Sequence, residues 1–241
     1  MVTQKTSMPA RKRGGISATI GEKVFDIFVY VFLAVCFFIW LFPLLYVVLA
    51  SVTPYKDVVS ASLVIIPSEI TLDGYRFIFV NSNMMQAFSN TAFITVMGTL
   101  ISMVLSVLMA FPLSKKDLPG RAALLKLLVF TMYFSGGLIP TYMVVRNLGM
   151  TNSIWSMIIP GAVPVMYVIM MMNFFRSLPP ELEEAALLDG AGHLSVLLRV
   201  YVPLSKPSIA TVTLFSMVGH WNSWFDGMIY LRDDTLQPLA T

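Results

Sequence analysis

Charge is what this chain has least of. Only 12 % of its 241 residues are Asp, Glu, Lys or Arg, against 57 % hydrophobic, and a soluble domain carries about 25 % charged residues. That deficit excludes a surface facing water all round. The charges present sit in short segments between long apolar runs, the pattern of a chain that crosses a bilayer repeatedly. Cysteine is nearly missing as well. Cys36 stands alone inside an apolar run, which excludes an internal disulfide and a cysteine-based zinc cluster and leaves a small apolar residue.

Catalytic patterns are missing too. The nearest thing to a phosphate-cradling loop, Gly15 to Lys23, has Glu22 between Gly21 and Lys23 and no Ser or Thr after the lysine, so it fails the pattern. The pair Glu183-Glu184 resembles an intramembrane metalloprotease motif, but Leu188 stands where an arginine is required, and His193 and His220 are the only histidines. Carboxylates are missing from the interiors of the first four apolar runs, Asp26 lying at an edge, which argues against an ion-driven secondary transporter. The net charge of +3 is spread over several short loops; it forms no stripe for nucleic acid.

What is there is an all-α polytopic membrane pattern. Five runs reach the roughly 20 apolar residues of a span: residues 24–50 with Pro43, 87–113, 124–145 broken by Ser135-Gly136-Gly137 and Pro140, 154–175 with Pro160 and Pro164, and 207–231. The first follows Arg11-Lys12-Arg13 but is much longer than a signal-peptide core of about 7–15 residues, so it is a retained helix. With the N-terminus in the cytoplasm, twelve of the sixteen Lys and Arg residues lie inside and only Lys56, Arg76, Arg146 and Arg232 outside, which fixes that orientation. The layout is then a polar cytoplasmic tail, 1–23, whose first dozen residues are expected to be disordered, a first helix, 24–50, an external loop with short helical pieces, 51–86, and a core, 87–241, with a cytoplasmic loop at 176–206. An odd number of spans puts Thr241 outside.

The loop from Leu178 to Pro207 carries the strongest local signals. Pro179 and Pro180 suit a first helical turn, Glu181, Glu183 and Glu184 complement the helix dipole, and Gly190 offers a left-handed end. Leu194, Leu197, Leu198 and Tyr201 repeat as one face of a second helix, stopped by Pro203.

Glu184-Ala185-Ala186, with Gly190, Val200, Val202 and Pro203 at their fixed spacings, resembles the EAA loop of permease subunits of ATP-binding-cassette importers; the usual isoleucine and leucine are replaced by Val200 and Val202, both apolar and branched. Phe134-Ser135-Gly136-Gly137-Leu138-Ile139-Pro140-Thr141, Leu178-Pro179-Pro180-Glu181-Leu182-Glu183, Asp189-Gly190-Ala191 and Trp221-Asn222-Ser223-Trp224-Phe225 are similar to its carbohydrate-uptake branch, nearest the subgroup that imports oligosaccharides from polysaccharide breakdown. The resemblance implies a type I importer transmembrane domain of six spans, five visible here, with a further apolar run of about 20 residues expected beyond Thr241. It implies a bacterial inner-membrane location and four kinds of partner: the lipid bilayer, ATPase subunits that hold the ATP and Mg, a second permease and an external solute-binding protein. It assigns ATPase coupling to Glu184, Ala185, Ala186, Asp189, Gly190 and Pro203, with no cofactor on this chain. A permease for another solute, such as a peptide or phosphate, shares the loop.

Other residues carry weaker expectations. Trp221, Asn222 and Trp224 line a sugar path or form an interfacial belt. Gly136 and Gly137 make a flexible break or a close helix contact. His220 and Asp226 form a relay, or Asp226 is simply wet. Met166, Met170, Met171 and Met172 are packing residues.

Overall fold

The computed structural model describes residues 20–60, 69–80 and 82–241, and every regular element among them is helical. The chain divides into two compact units, residues 1–77 and 78–241. The expected disorder of the first dozen residues lies outside the described residues.

In the first unit, α1 (Ile20–Ser51) takes up the first apolar run and extends it at both ends. At about 1.5 Å per residue it is about 48 Å long, more than the roughly 30 Å of a bilayer's hydrocarbon. Pro43 lies inside it without ending it. The chain then folds back on the end of α1: the Thr71 amide donates to the Val52 carbonyl at 2.8 Å, and the Ser51 and Tyr75 hydroxyls are 2.9 Å apart. The helical pieces expected in this loop are α2 (Tyr55–Ser60) and α3 (Asp73–Val80), which carry Asp57 and Asp73 in their first turns, where the helix dipole favours a negative charge.

The second unit is built round α4 (Ser82–Ser114), the second apolar run. After it come α5 (Arg121–Tyr133), α6 (Leu138–Asn147), α7 (Trp155–Ile158), α8 (Val165–Ser177), α9 (Glu181–Leu188) and α10 (His193–Val196). A π-helical turn, Leu197–Tyr201, then leads into α11 (Val202–Leu204), α12 (Lys206–Trp221) and α13 (Trp224–Tyr230). The dominant contacts are α4 with α8 and α4 with α12.

The α4 sequence dictates those contacts. Its buried face runs through Thr91, Ile94, Thr95, Gly98, Thr99, Ser102, Met103, Ser106 and Ala110, mostly small residues, while Phe93, Val96, Leu100, Val104 and Leu108 point outward. Small residues inside and large apolar ones outside reverse the arrangement of a water-soluble helix. Where the surroundings are as apolar as the core, helices gain by close approach, and small side chains permit it. Toward its Ser114 end the seam gives way to a larger cluster in which Met103 and Phe111 meet Val168, Met171, Met172 and Phe175 of α8 and Val212 of α12. Met171 and Met172 are thus packing residues, as expected; Met166 is 53 % exposed.

The five apolar runs are not five straight helices. The third is α5 and α6, bent by 109° at the Phe134–Gly137 break, where Gly137 has φ +88°. The fourth is broken between α7 and α8, where Pro160 and Pro164 supply no amide donors; α8, with 13 residues, spans only about 20 Å. The fifth breaks at Asn222-Ser223, inside the aromatic motif. Among the described residues α1 and α4 are each long and apolar enough to cross a membrane, and α5 with α6 makes a third if counted as one bent span.

Residues 231–241 return to α4. The Asn90 amide donates to the carbonyls of Thr235 (2.8 Å) and Gln237 (3.2 Å), and the Leu239 amide donates to the Thr91 hydroxyl at 2.7 Å.

If the seam sets the packing, Ser102→Leu overfills a fully buried position and lowers stability by about 1–3 kcal/mol, read as a depressed Tm of the purified protein in detergent. Val104→Leu, on the outward face, leaves Tm nearly unchanged.

Candidate functional site

Two features stand out in the second unit: a short helix held at one end of α4, and a polar cavity among α6, α7, α12 and α13.

The helix is α9. It starts after Pro180, whose carbonyl accepts from the Glu183 and Glu184 amides at 3.1 Å, and the carboxylates of Glu181, Glu183 and Glu184 occupy its first turn. Its other end is closed at Gly190, φ +83°. The Gly190 amide donates to Leu187 and the Ala191 amide to Ala186, each at 3.0 Å, which is the double bond of a Schellman cap. Ala186 and Ala191 both pack against the core cluster. A side chain at Gly190 would have to adopt the left-handed conformation, which costs an L-residue roughly 1–2 kcal/mol.

The inner face of α9 is tied down by charge. Lys115, the residue after α4, pairs with the Glu183 carboxylate and donates to the Tyr201 hydroxyl at 2.8 Å; that hydroxyl donates in turn to Glu183 at 2.8 Å. The ammonium also lies over the rings of Phe111 (4.4 Å) and Tyr201 (4.1 Å). Phe111, Phe175 and Tyr201 meet edge to face, with centroids 5.1–6.5 Å apart, the geometry aromatic quadrupoles prefer. Burial first, and then the neighbouring Glu183 carboxylate, push the Tyr201 phenol well above its ordinary range, so it keeps its proton and remains a donor. Arg121 and Arg176 both donate to the Leu113 carbonyl, at 2.8 and 3.4 Å, where cations complement the helix dipole.

The sequence-expected coupling residues therefore separate. Glu184, Ala185 and Asp189 are exposed on the outer side of α9, and Pro203 is exposed on α11. Ala186, also expected to face a partner, is half-buried against the chain's own core. Leu188, 89 % exposed, joins the outer face and was missed, as were Lys115, counted only as an orientation signal, and the tie through Glu183. The second helix also departs from expectation. Leu197 and Tyr201 are buried, but Leu194 and Leu198 are exposed and Val196 is buried instead; from Leu197 the helix continues as a wider π turn. Pro203 follows directly; it has no amide for the carbonyl four residues back, and the wide turn makes room for its ring.

The cavity has a volume of about 370 Å³ and is lined by the hydroxyl residues Thr141, Ser156, Tyr167, Ser216, Ser223 and Tyr230, with His220, Asp226 and apolar residues. Its wall is rigid. Tyr142 stacks parallel on Tyr230 at 6.1 Å, the Asn152 amide donates to the Tyr230 carbonyl at 2.8 Å, and Asn152 Oδ1 accepts from the Arg232 and Asp233 amides. The volume falls in the range of small-molecule sites, about 300–1,000 Å³, and dense hydroxyls with one imidazole and one carboxylate suit a polyhydroxylated ligand.

Trp221, Asn222 and Trp224 do not line this cavity. Trp221 packs edge to face on Phe88 of α4 at 6.0 Å, the Asn222 side chain donates to the Val218 carbonyl at 2.8 Å and caps α12, and Trp224 meets Phe225. The motif makes the break that turns His220, Ser223 and Asp226 to one side. Gly136 borders an adjacent, mostly apolar cavity of about 360 Å³, which shares Thr141 and Pro160 with the polar one; Gly137 supplies the positive φ of the bend.

Comparison with known proteins places these features in context. Residues 118–225 match the family described as binding-protein-dependent transport system inner membrane component. The chain is 41 % identical to a polygalacturonan/rhamnogalacturonan transport system permease protein of Bacillus subtilis (strain 168), over 90 % of this chain and 76 % of that protein. It is 27 % identical to an arabinooligosaccharides transport system permease protein of Halalkalibacterium halodurans, over 84 % and 74 %. Among solved structures, a chain of a bacterial importer of the acidic polysaccharide alginate superposes with a TM-score of 0.88 at 32 % identity, over 92 % of this chain and 79 % of that one.

The cavity's His220 depends on Gly98 of α4, where an added methyl would stand 2.6 Å from the imidazole ring. Gly98→Ala is expected to lower Tm, and His220→Ala in the same chain to recover most of the loss. A double variant costing the sum of the two single changes would show that the contact does not exist.

Proposed function

Because the chain belongs to the family of inner membrane components of binding-protein-dependent transport systems, we propose that it is one of two permease subunits of an ATP-driven importer of oligosaccharides, with fragments of acidic polysaccharides as its first-choice solute. Relatives that serve polygalacturonan/rhamnogalacturonan, arabinooligosaccharide and alginate transport support the solute class. The observation that carries the mechanism is α9: opened by Pro180 and three glutamates, capped at Gly190, tied through Glu183 and Ala186, and presenting Glu184, Ala185, Leu188 and Asp189 outward.

A rigid exposed helix with small and acidic residues suits docking in a cleft of a separate ATPase. Ala185 permits close approach, Leu188 offers an apolar anchor, and Glu184 accepts charge-assisted hydrogen bonds from a cationic side chain. ATP and Mg belong to that partner, and this chain catalyses nothing itself. The excess of Lys and Arg in the N-terminal tail and in the segments around α9 supports a cytoplasmic location for both. On the opposite side an extracellular binding protein delivers the solute. Closure of the ATPase pair moves the docked helices and switches the pore between inward and outward access, and the polar cavity with its hydroxyls, His220 and Asp226 is the part of the path this chain contributes.

Two measurements test this in the complex reconstituted with its ATPase, second permease and binding protein. Oligogalacturonides are expected to stimulate ATP hydrolysis and accumulate in vesicles; accumulation of peptides with no response to any glycan would overturn the solute class. Glu184→Lys is expected to reduce transport-linked ATP hydrolysis by about tenfold or more, the equivalent of about 1.4 kcal/mol, and an unchanged rate would overturn the docking role.

A further inference from the structure

The residues that dock on a partner are not the residues that hold the docking helix in place. Among the described residues, Glu183 is the α9 side chain that makes polar contact with another element, and both its partners lie on different parts of the unit. Lys115 directly follows α4, the helix that contacts both α8 and α12. Tyr201 closes the π turn that leads through Pro203 into α12. Three stretches of chain thus converge on one proton-rich node: an ammonium, a phenol and a carboxylate bonded in a ring, with Phe111 of α4 and Phe175 of α8 packed behind it.

We propose that Lys115, Glu183 and Tyr201 form a strut that fixes the angle of α9 and carries its displacement into α4 and α12; they are positioning residues for coupling, distinct from the docking face at Glu184. This rests on the reading of α9 as the docking helix. Chemistry makes the strut two-sided. A cap alone would hold α9 in shape but leave it free to pivot about Pro180 and Gly190. A charge pair supported by a neutral phenol resists both pulling away and sideways rotation, since the ammonium is held by the carboxylate, the hydroxyl and two ring faces at once. The side chains of Lys115 and Glu183 are 20 % and 16 % exposed, so water replaces the lost partner poorly.

The test uses the full chain in nanodiscs, alone and in the reconstituted complex, with Glu183→Gln, Tyr201→Phe, Lys115→Glu and the exchange pair Lys115→Glu/Glu183→Lys. Tyr201→Phe and Glu183→Gln keep shape and remove one polar function each. In the chain alone, hydrogen exchange of the α9 amides is expected to rise by about tenfold or more in each single variant, the loss of one charge-assisted hydrogen bond, and to fall back toward wild type in the exchange pair. In the complex, ATP consumed per solute moved is expected to rise in the single variants and recover in the pair, while the ATPase subunits still co-purify. Unchanged exchange in α9 overturns the strut whatever the transport assay shows. Raised exchange with unchanged ATP consumed per solute overturns its role in coupling. If the wild-type complex moves no solute on ATP, the functional reading falls, and the exchange measurement still decides whether the node positions α9.

Discussion

Close approach along α4 is the constraint on which the second unit depends. A helix whose buried face is mostly Thr, Gly, Ser and Ala for five turns, with Ile94 and Met103 among them, draws its neighbours to it by contact rather than by exclusion of water. α8 and α12 lie against that face, and their placement settles the rest. The aromatic cluster at one end of the seam sits where Phe111, Phe175 and Tyr201 converge, and the polar cavity opens beside α12 near Gly98, where His220 finds room only because a glycine faces it. The cavity and α9 thus belong to one packed assembly built on α4.

How much of this the sequence reveals depends on whether a feature is local. The boundaries of α9 are local: prolines before, glutamates in the first turn and Gly190 after, each acting on its own backbone. The membrane character of α1 and α4 is local too, since it follows from composition over a single window. The break at Ser135-Gly136-Gly137 was legible as a break, but its 109° bend was not, because an angle depends on what both halves pack against.

The misread features are those that need a second segment of chain. Lys115 looks like one more cytoplasmic cation until Glu183 and Tyr201 are brought to it from 68 and 86 residues away. Trp221, Asn222 and Trp224 draw the eye as sugar-binding types; in the fold they stand at the break between α12 and α13, with Asn222 capping α12, while the cavity is lined by the plainer Ser156, Tyr167 and Ser216. Ala185 and Ala186 are identical letters with opposite fates, one outside and one against the core. Periodicity misjudged Leu198 because it assumes 3.6 residues per turn, and the π turn it sits in violates that assumption locally.

That π turn can be regarded as an insertion stored within a helix. Its surplus residue shifts the phase of everything after it by about 100°, and Val196, Leu197 and Tyr201 all reach the one core cluster, from which the Tyr201 hydroxyl meets Lys115. The count of residues between Gly190 and Pro203 is therefore a structural quantity, as fixed as any bond length in the loop. Shortening it by one would restore an ordinary helix and swing one half away from its contacts. Any side chain in this stretch can drift over time more freely than the spacing can.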